Sequence, residues 1–359
     1  MKDDYLWDGS GEPDPEIQKL ETALGRYRHK QPAPAFDQLP EIRAGKRSRS
    51  SPWRFSFQVA AVAAGILIAA TIYFYLRSKP VVQQGPSWEV ARLEGAPRVG
   101  SKTIGAKAGV GKLGVGQLLE TDRSSRATLS LEETGSVEVD AGSRVRLVSN
   151  GPVRKRLSLE RGTIHATIWA PPGEFVVDTP SATAVDLGCI YTLHVDDSGA
   201  GLLRTRVGWV GFKLNGHESF IPAGAVCATR PKIGPGTPYL EDATPAFREA
   251  LSRFDFEATT PAERNALLGI LLTDARKIDA LTLWHLLSRV DDPDRVSVFE
   301  RLAALAPPPA GVTREGILRL DRSMLDTWWN SLGFGDVSLW RTFEHNWSQA
   351  QSGPKGTAQ

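Results

Sequence analysis

The sequence predicts a multidomain chain: a single transmembrane helix, then an all-β domain of sandwich or β-roll type, then an all-α C-terminal helical bundle. Three observations carry this reading. Residues 55–76, FSFQVAAVAAGILIAATIYFYL, contain no charged side chain. From Trp88 to about residue 230 apolar residues recur every second position, and from Thr244 onward they recur with helical spacing. With 41% apolar residues and a net charge of +2, the 359-residue chain can bury a core, and its charge gives no reason to expect direct nucleic-acid binding.

Residues 1–30 hold one helix candidate. Asp14 is placed as N-cap and Pro15 at the first helical position, after which Ile17, Leu20, Leu24 and Tyr27 share a face. A lone helix cannot bury such a stripe, so it wants a partner, supplied by Tyr5 and Trp7 or by another protein. Residues 31–54 are a proline-rich and then basic linker.

The 22 residues from Phe55 to Leu76 are long enough, at about 1.5 Å per residue, to cross a hydrocarbon core of about 30 Å. Trp53, Phe55 and Phe57 stand at one end and Tyr73, Phe74 and Tyr75 at the other, where aromatic rings favour the interface. Arg43, Lys46, Arg47, Arg49 and Arg54 precede the stretch, whereas only Arg77 and Lys79 follow closely. The positive-inside rule then keeps residues 1–54 cytoplasmic and exports the rest beyond a short linker at 77–87. In an oxidising compartment the only two cysteines, Cys189 and Cys227, are expected to form a disulfide, contributing roughly 3 to 4 kcal/mol.

Residues 88–230 read as short half-buried strands. Ala127, Leu129 and Leu131, then Val137 and Val139, then Val145 and Leu147 alternate with polar neighbours, and Gly135 and Gly142 punctuate them. Similar segments recur near every ten residues with no helical interruption, the pattern of an all-β unit. In DLGCIYTLHVDD, Cys189 shares parity with Tyr191, Leu193 and Val195 and so faces inward, while Thr192 and His194 face out.

Residues 244–350 read as a helical domain. Thr244-Pro245, Thr260-Pro261-Ala262-Glu263 and Asp292-Pro293 mark helix starts, and amphipathic segments follow each. Leu271, Leu281, Leu286, Leu302, Trp328 and Trp329 are assigned to core packing.

Chemical motifs are few. Gly109, Gly111 and Gly114 match a dinucleotide fingerprint in letters only, because a strand-like pattern, not a helix, follows them. The six histidines show no HExxH or zinc-type Cys/His spacing, and no Gly-x-Ser-x-Gly is present. No catalytic residue, metal ligand or cofactor is expected, and the chain is not expected to be an enzyme.

The succession SRATLSLEETGSVEVDAGSRVRLV, RLSLERGTIHATI, FVVDTPSATAVDLGCIYTLHV and RTRVGWVGFKLNGHESFIPAGAVC resembles the FecR family of transmembrane anti-sigma regulators, the iron-dicitrate sensor type, over residues 115 to 230. The resemblance implies a bacterial inner-membrane, single-pass protein. Its cytoplasmic segment would bind an extracytoplasmic-function sigma factor through Tyr5, Trp7, Ile17, Leu20, Leu24 and Tyr27, and its periplasmic domains would sense an envelope signal, with an envelope protein as partner. Where the family has glycine then threonine, this chain has Gly188 then Cys189, and Cys227 follows the PAG turn, so a bridge would staple a late strand to the Cys189 strand. A second reading stays open: a membrane-anchored periplasmic scaffold that binds an envelope protein or a polysaccharide.

Overall fold

Alternation of apolar and polar residues becomes strand after strand between Ser87 and Leu240. The computed structural model describes residues 87–343 apart from 153, 215–216 and 259, all within one compact unit spanning Pro80–Gln359. Strands β1 (Ser87–Glu94), β2 (Arg98–Val99), β3 (Lys102–Thr103), β4 (Val110–Gly114), β5 (Leu118–Glu120), β6 (Arg126–Ser130), β7 (Gly135–Val139) and β8 (Arg144–Asn150) lead into the long β9 (Lys155–Ile168). Then follow β10 (Phe175–Asp178), β11 (Thr183–Asp186), β12 (Ile190–Val195), β13 (Gly201–Val207), β14 (Trp209–Leu214), β15 (His217–Pro222), β16 (Ala225–Arg230), β17 (Gly234–Pro235) and β18 (Tyr239–Leu240).

Two sheets form, and β9 belongs to both. The first sheet runs β4–β1–β6–β7–β9–β12–β13–β16, with β17 and β18 both pairing with β16. The second runs β3–β2–β5–β8–β9–β10–β11–β14–β15. All pairings are antiparallel except β9 with β10. Inward side chains of the two sheets, among them Val90, Leu129, Val139, Leu157, Ile164 and Leu193, join one buried core.

The crossing of β9 from one sheet to the other is visible in its burial. Leu157 and Leu159 are buried at odd positions, Ile164, Ala166 and Ile168 at even ones, so the inward parity slips by one residue in between. Opposite Arg144 and Val145 the register skips Glu160, a β-bulge. Gly162 follows with φ +96°, and a Cβ there would stand 2.2 Å from Ser143 Oγ and 2.4 Å from Ser143 Cα. The buried Ser143 hydroxyl accepts from Thr163 N–H at 3.0 Å and lies 3.3 Å from Thr163 O, holding the backbone where the strand changes sheets.

The helical part begins at the expected signals. Helix α1 (Pro245–Phe256) is capped by Thr244, whose Oγ1 accepts from Phe247 N–H at 3.1 Å, and α2 (Pro261–Asp274) by Thr260, whose Oγ1 accepts from Glu263 N–H at 3.2 Å. A 3-10 turn at Lys277–Asp279 leads into α3 (Ala280–Leu287), followed by α4 (Asp292–Leu305), α5 (Arg314–Leu318) and α6 (Arg322–Ser331). The N-cap of α4 is Asp291, one residue before the expected start. Leu271, Leu281, Leu286, Leu302, Trp328 and Trp329 are all buried.

One expectation about the fold is corrected. Among the described residues no helix is long and apolar enough to cross a membrane. The longest, α2 and α4, have 14 residues each, about 21 Å at the helical rise, and both carry charges. The spanning helix expected at Phe55–Leu76 lies outside the described residues, and the described fold is a sheet-rich domain followed by helices.

If the bend at Gly162 holds the two sheets together, Gly162→Ala will destabilise the protein by about 3 kcal/mol through left-handed strain and collision with Ser143. Gly142→Ala, also at positive φ but facing open space, should cost about 1 kcal/mol. Chemical denaturation of both variants, measured side by side, separates the two contributions.

Candidate functional site

Three groupings of polar or aromatic side chains arise that the sequence does not show as neighbours. The first is buried around the chain turn before β12. Asp186 Oδ1 accepts from Gly188 N–H at 2.7 Å, and its Oδ2 accepts from the Cys189 thiol at 2.5 Å. Burial pushes the Asp186 carboxyl up to about 7, against the pull of those donors. Burial, reinforced by the Asp186 charge, also pushes the Cys189 thiol far up, so it stays protonated and unreactive. The Tyr191 hydroxyl is buried in the same region without a hydrogen-bond partner.

The disulfide expected between Cys189 and Cys227 is not formed: both are buried free thiols. Strand order explains it. Cys227 on β16 opposes Leu203 on β13, and Leu203 opposes Leu193 on β12. Two strand spacings, about 10 Å, therefore separate the cysteines laterally, and Cys189 is four residues further along, while a bridge needs Cα atoms within about 7 Å. Cys227 instead donates to Gly236 O at 3.2 Å, and burial raises its thiol to about 12.

The second grouping joins helices to sheet. Phe220 on β15 has the rings of Trp209, Trp284, His285, Trp329 and Trp340 around it at centroid distances of 5.2 to 5.8 Å. Trp340 fits because Gly211 on β14 has no side chain: a Cβ there would lie 2.0 Å from the indole. His285 Nδ1–H donates to Leu281 O at 2.8 Å, and its Nε2 accepts from Phe220 N–H at 2.9 Å, so the ring is held neutral in one tautomer. Burial lowers its pKa to about 3. Arg341 adds bonds of 2.9 and 2.8 Å to Asp326 and one of 2.9 Å to Glu218.

The third lies on the outer face of the first sheet. His165 Nε2 meets Asp140 Oδ2 at 2.8 Å, and His165 Nδ1 meets Thr192 Oγ1 at 2.9 Å. Carboxylate, imidazole and hydroxyl thus stand in line, yet on an open sheet whose backbone donors are committed to the ladders β7–β9 and β9–β12. His194, expected to face out, does so and bonds Thr163 Oγ1 at 2.9 Å. Pairing register alone brings Asp140, His165 and Thr192 together; outward parity in each strand was the sequence signal available. Elsewhere an apolar groove of about 590 Å³ opens among Ile278, Ala280, Ala306, Pro307, Leu332 and Phe334. The partner-binding residues expected from the sequence, Tyr5, Trp7, Ile17, Leu20, Leu24 and Tyr27, lie outside the described residues.

Residues 117–206 match the family model described as FecR protein, within the span expected from the sequence. The match runs from the end of the β4–β5 turn to the end of β13 and takes in the Asp186 cluster and the His165 row. Two crystal structures of a "putative anti-sigma factor" from Parabacteroides distasonis ATCC 8503, at 1.65 and 2.50 Å, are similar at 16% identity and a TM-score of 0.31. The alignments cover 37% of this chain and 63% and 62% of those chains, so this chain spans under two thirds of their length. No curated protein matches the chain.

The two buried titrating groups act with opposite sign. Asp186, raised in the folded state, gives stability that is complete below pH 3.8 and lost as pH rises through about 7, a span worth about 4 kcal/mol. His285, depressed in the folded state, gives stability that is present above pH 6.5 and lost as pH falls through about 3. In Asp186→Asn the loss between pH 4 and 7.5 should vanish, and stability should rise with pH up to 6.5; urea unfolding across that range reads it. Iodoacetamide should modify neither cysteine in the native protein and both after denaturation without reductant, as mass spectrometry will show.

Proposed function

We propose, on the premise that residues 117–206 are a FecR domain, that this protein is a FecR-type signalling regulator whose N-terminal segment binds an extracytoplasmic-function sigma factor. The single observation that carries the reading is the domain match itself, found over the strands that the sequence resemblance singled out. The apolar spacing of Ile17, Leu20, Leu24 and Tyr27, with Tyr5 and Trp7, supports the second half: the sequence pattern is that of an amphipathic helix, which in a short segment would have no core of its own and would suit a groove on another protein.

In this reading the folded unit is the sensing part, periplasmic as in the family, and an envelope component is its ligand. Its build suits that task. The helices are fastened to β14 and β15 through the Phe220 ring cluster and through Arg341, so a ligand held on the sheets acts on the helices through packed side chains.

The test uses the full-length chain, tagged and isolated from the producing bacterium beside a Leu20→Ala, Leu24→Ala double variant. A sigma factor should accompany the parent and be reduced at least about tenfold in the variant, the equivalent of about 1.4 kcal/mol. Equal recovery with both proteins, or none with either, would sink the sigma-binding half and leave a FecR-domain scaffold.

A further inference from the structure

Among the described residues, the most exposed large apolar side chain is Trp169, at 66%. It is no loop accident. Its N–H donates to Thr134 O at 2.8 Å, extending the β7–β9 ladder by one residue, and its parity places it with Thr163, His165 and Thr167 on the outer face of the first sheet. Along that face the register sets Glu138 opposite His165, and His165 opposite Thr192.

The face has three properties that select a ligand class. It is rigid, because the imidazole of His165 is fixed at both nitrogens by Asp140 and Thr192. Its charges are only partly offset: Arg126 bonds both Asp140 at 3.1 Å and Glu138 at 3.4 Å, which leaves the three groups with a net negative charge. That local excess of carboxylate gives no attraction for phosphates or an acidic chain. It is also not the apolar patch that a protein interface builds around its centre, because side chains around His165 are polar and the one large exposed ring stands at the end of the row.

What fits is a neutral polyhydroxylated chain. An exposed indole offers a flat apolar surface to the C–H face of a sugar ring while its N–H stays available for a hydroxyl. Hydroxyls of further sugar units can donate to the free lone pairs of Glu138 and Asp140 and accept from Arg126, groups already oriented by their mutual bonds. Trp169 and His165 are four residues apart on one strand, roughly 13 Å, so the row suits an extended ligand of several units rather than a single sugar.

We infer that the outer face of the first sheet, from Trp169 across His165 to Glu138, Asp140 and Arg126, is a binding platform for a neutral saccharide chain. This deepens the regulator reading by naming the ligand class of its sensing part. Titration with sugars is blind to any sigma factor, so the two readings can fail separately.

Full-length protein is titrated with cellohexaose, maltohexaose and laminarihexaose, followed by calorimetry and tryptophan emission, and with phosphatidylethanolamine–phosphatidylglycerol vesicles as the competing surface. At least one hexasaccharide should bind at millimolar strength or better, with loss of at least tenfold in Trp169→Ala and a smaller loss in His165→Ala. Thermal unfolding of Trp169→Ala should match the parent, since the ring is exposed. The platform is overturned if none of the three sugars binds at about 5 mM, if binding survives Trp169→Ala unchanged, or if Trp169 drives adsorption to vesicles instead.

Discussion

The bend of β9 at Gly162 is the constraint on which the rest of the β domain depends. Its first half pairs with β8 and β10, its second with β7 and β12, so each sheet has this one strand as a central member. Only a residue without Cβ can turn there with φ +96° against Ser143. The bulge beside it resets the inward parity, so that Leu157 and Leu159 face one half of the core and Ile164, Ala166 and Ile168 the other. Without the slip one half of β9 would turn its apolar residues to water.

A sheet that ends in an open strand invites pairing with another chain, and the second sheet ends at β15. The helices answer this directly. His285 accepts the Phe220 N–H, and Arg289 donates to Glu218 O at 3.3 Å and to Ser219 Oγ at 2.8 Å. One side chain from α3 and one from the turn that follows it thereby stand in for a neighbouring strand. The aromatic cluster around Phe220 adds the apolar burial that keeps them in place. The helical region is thus the lid of a sheet edge as well as a bundle in its own right.

The two faces of β12 divide the domain's chemistry. Inward, Cys189, Tyr191, Leu193 and Val195 are buried, with Asp186 enclosed beside them; outward, Thr192 and His194 hydrogen-bond across to β9. The thiol that a reading by compartment assigns to a disulfide is a donor to a buried carboxylate instead. A carboxylate without a cation in a dry interior is stabilised most easily by holding its proton, which is why its stability contribution falls as pH rises.

From Ser87 onward the sequence by itself determined the order of strands and then helices: a polar–apolar period of two is satisfied by half-buried strands, and Thr-Pro starts with apolar spacing of three and four by capped helices. It also determined the inward face of Cys189 and the FecR resemblance, because both are carried by contiguous residues. Even the bend of β9 was written in RLSLERGTIHATI, as a change of apolar parity around one glycine. Strand pairing was decided only in three dimensions, because period two fixes which way a side chain points and not which strand lies beside it. For that reason the separation of Cys189 from Cys227, the line Asp140–His165–Thr192 and the seating of Trp340 over Gly211 belong to the tertiary structure alone.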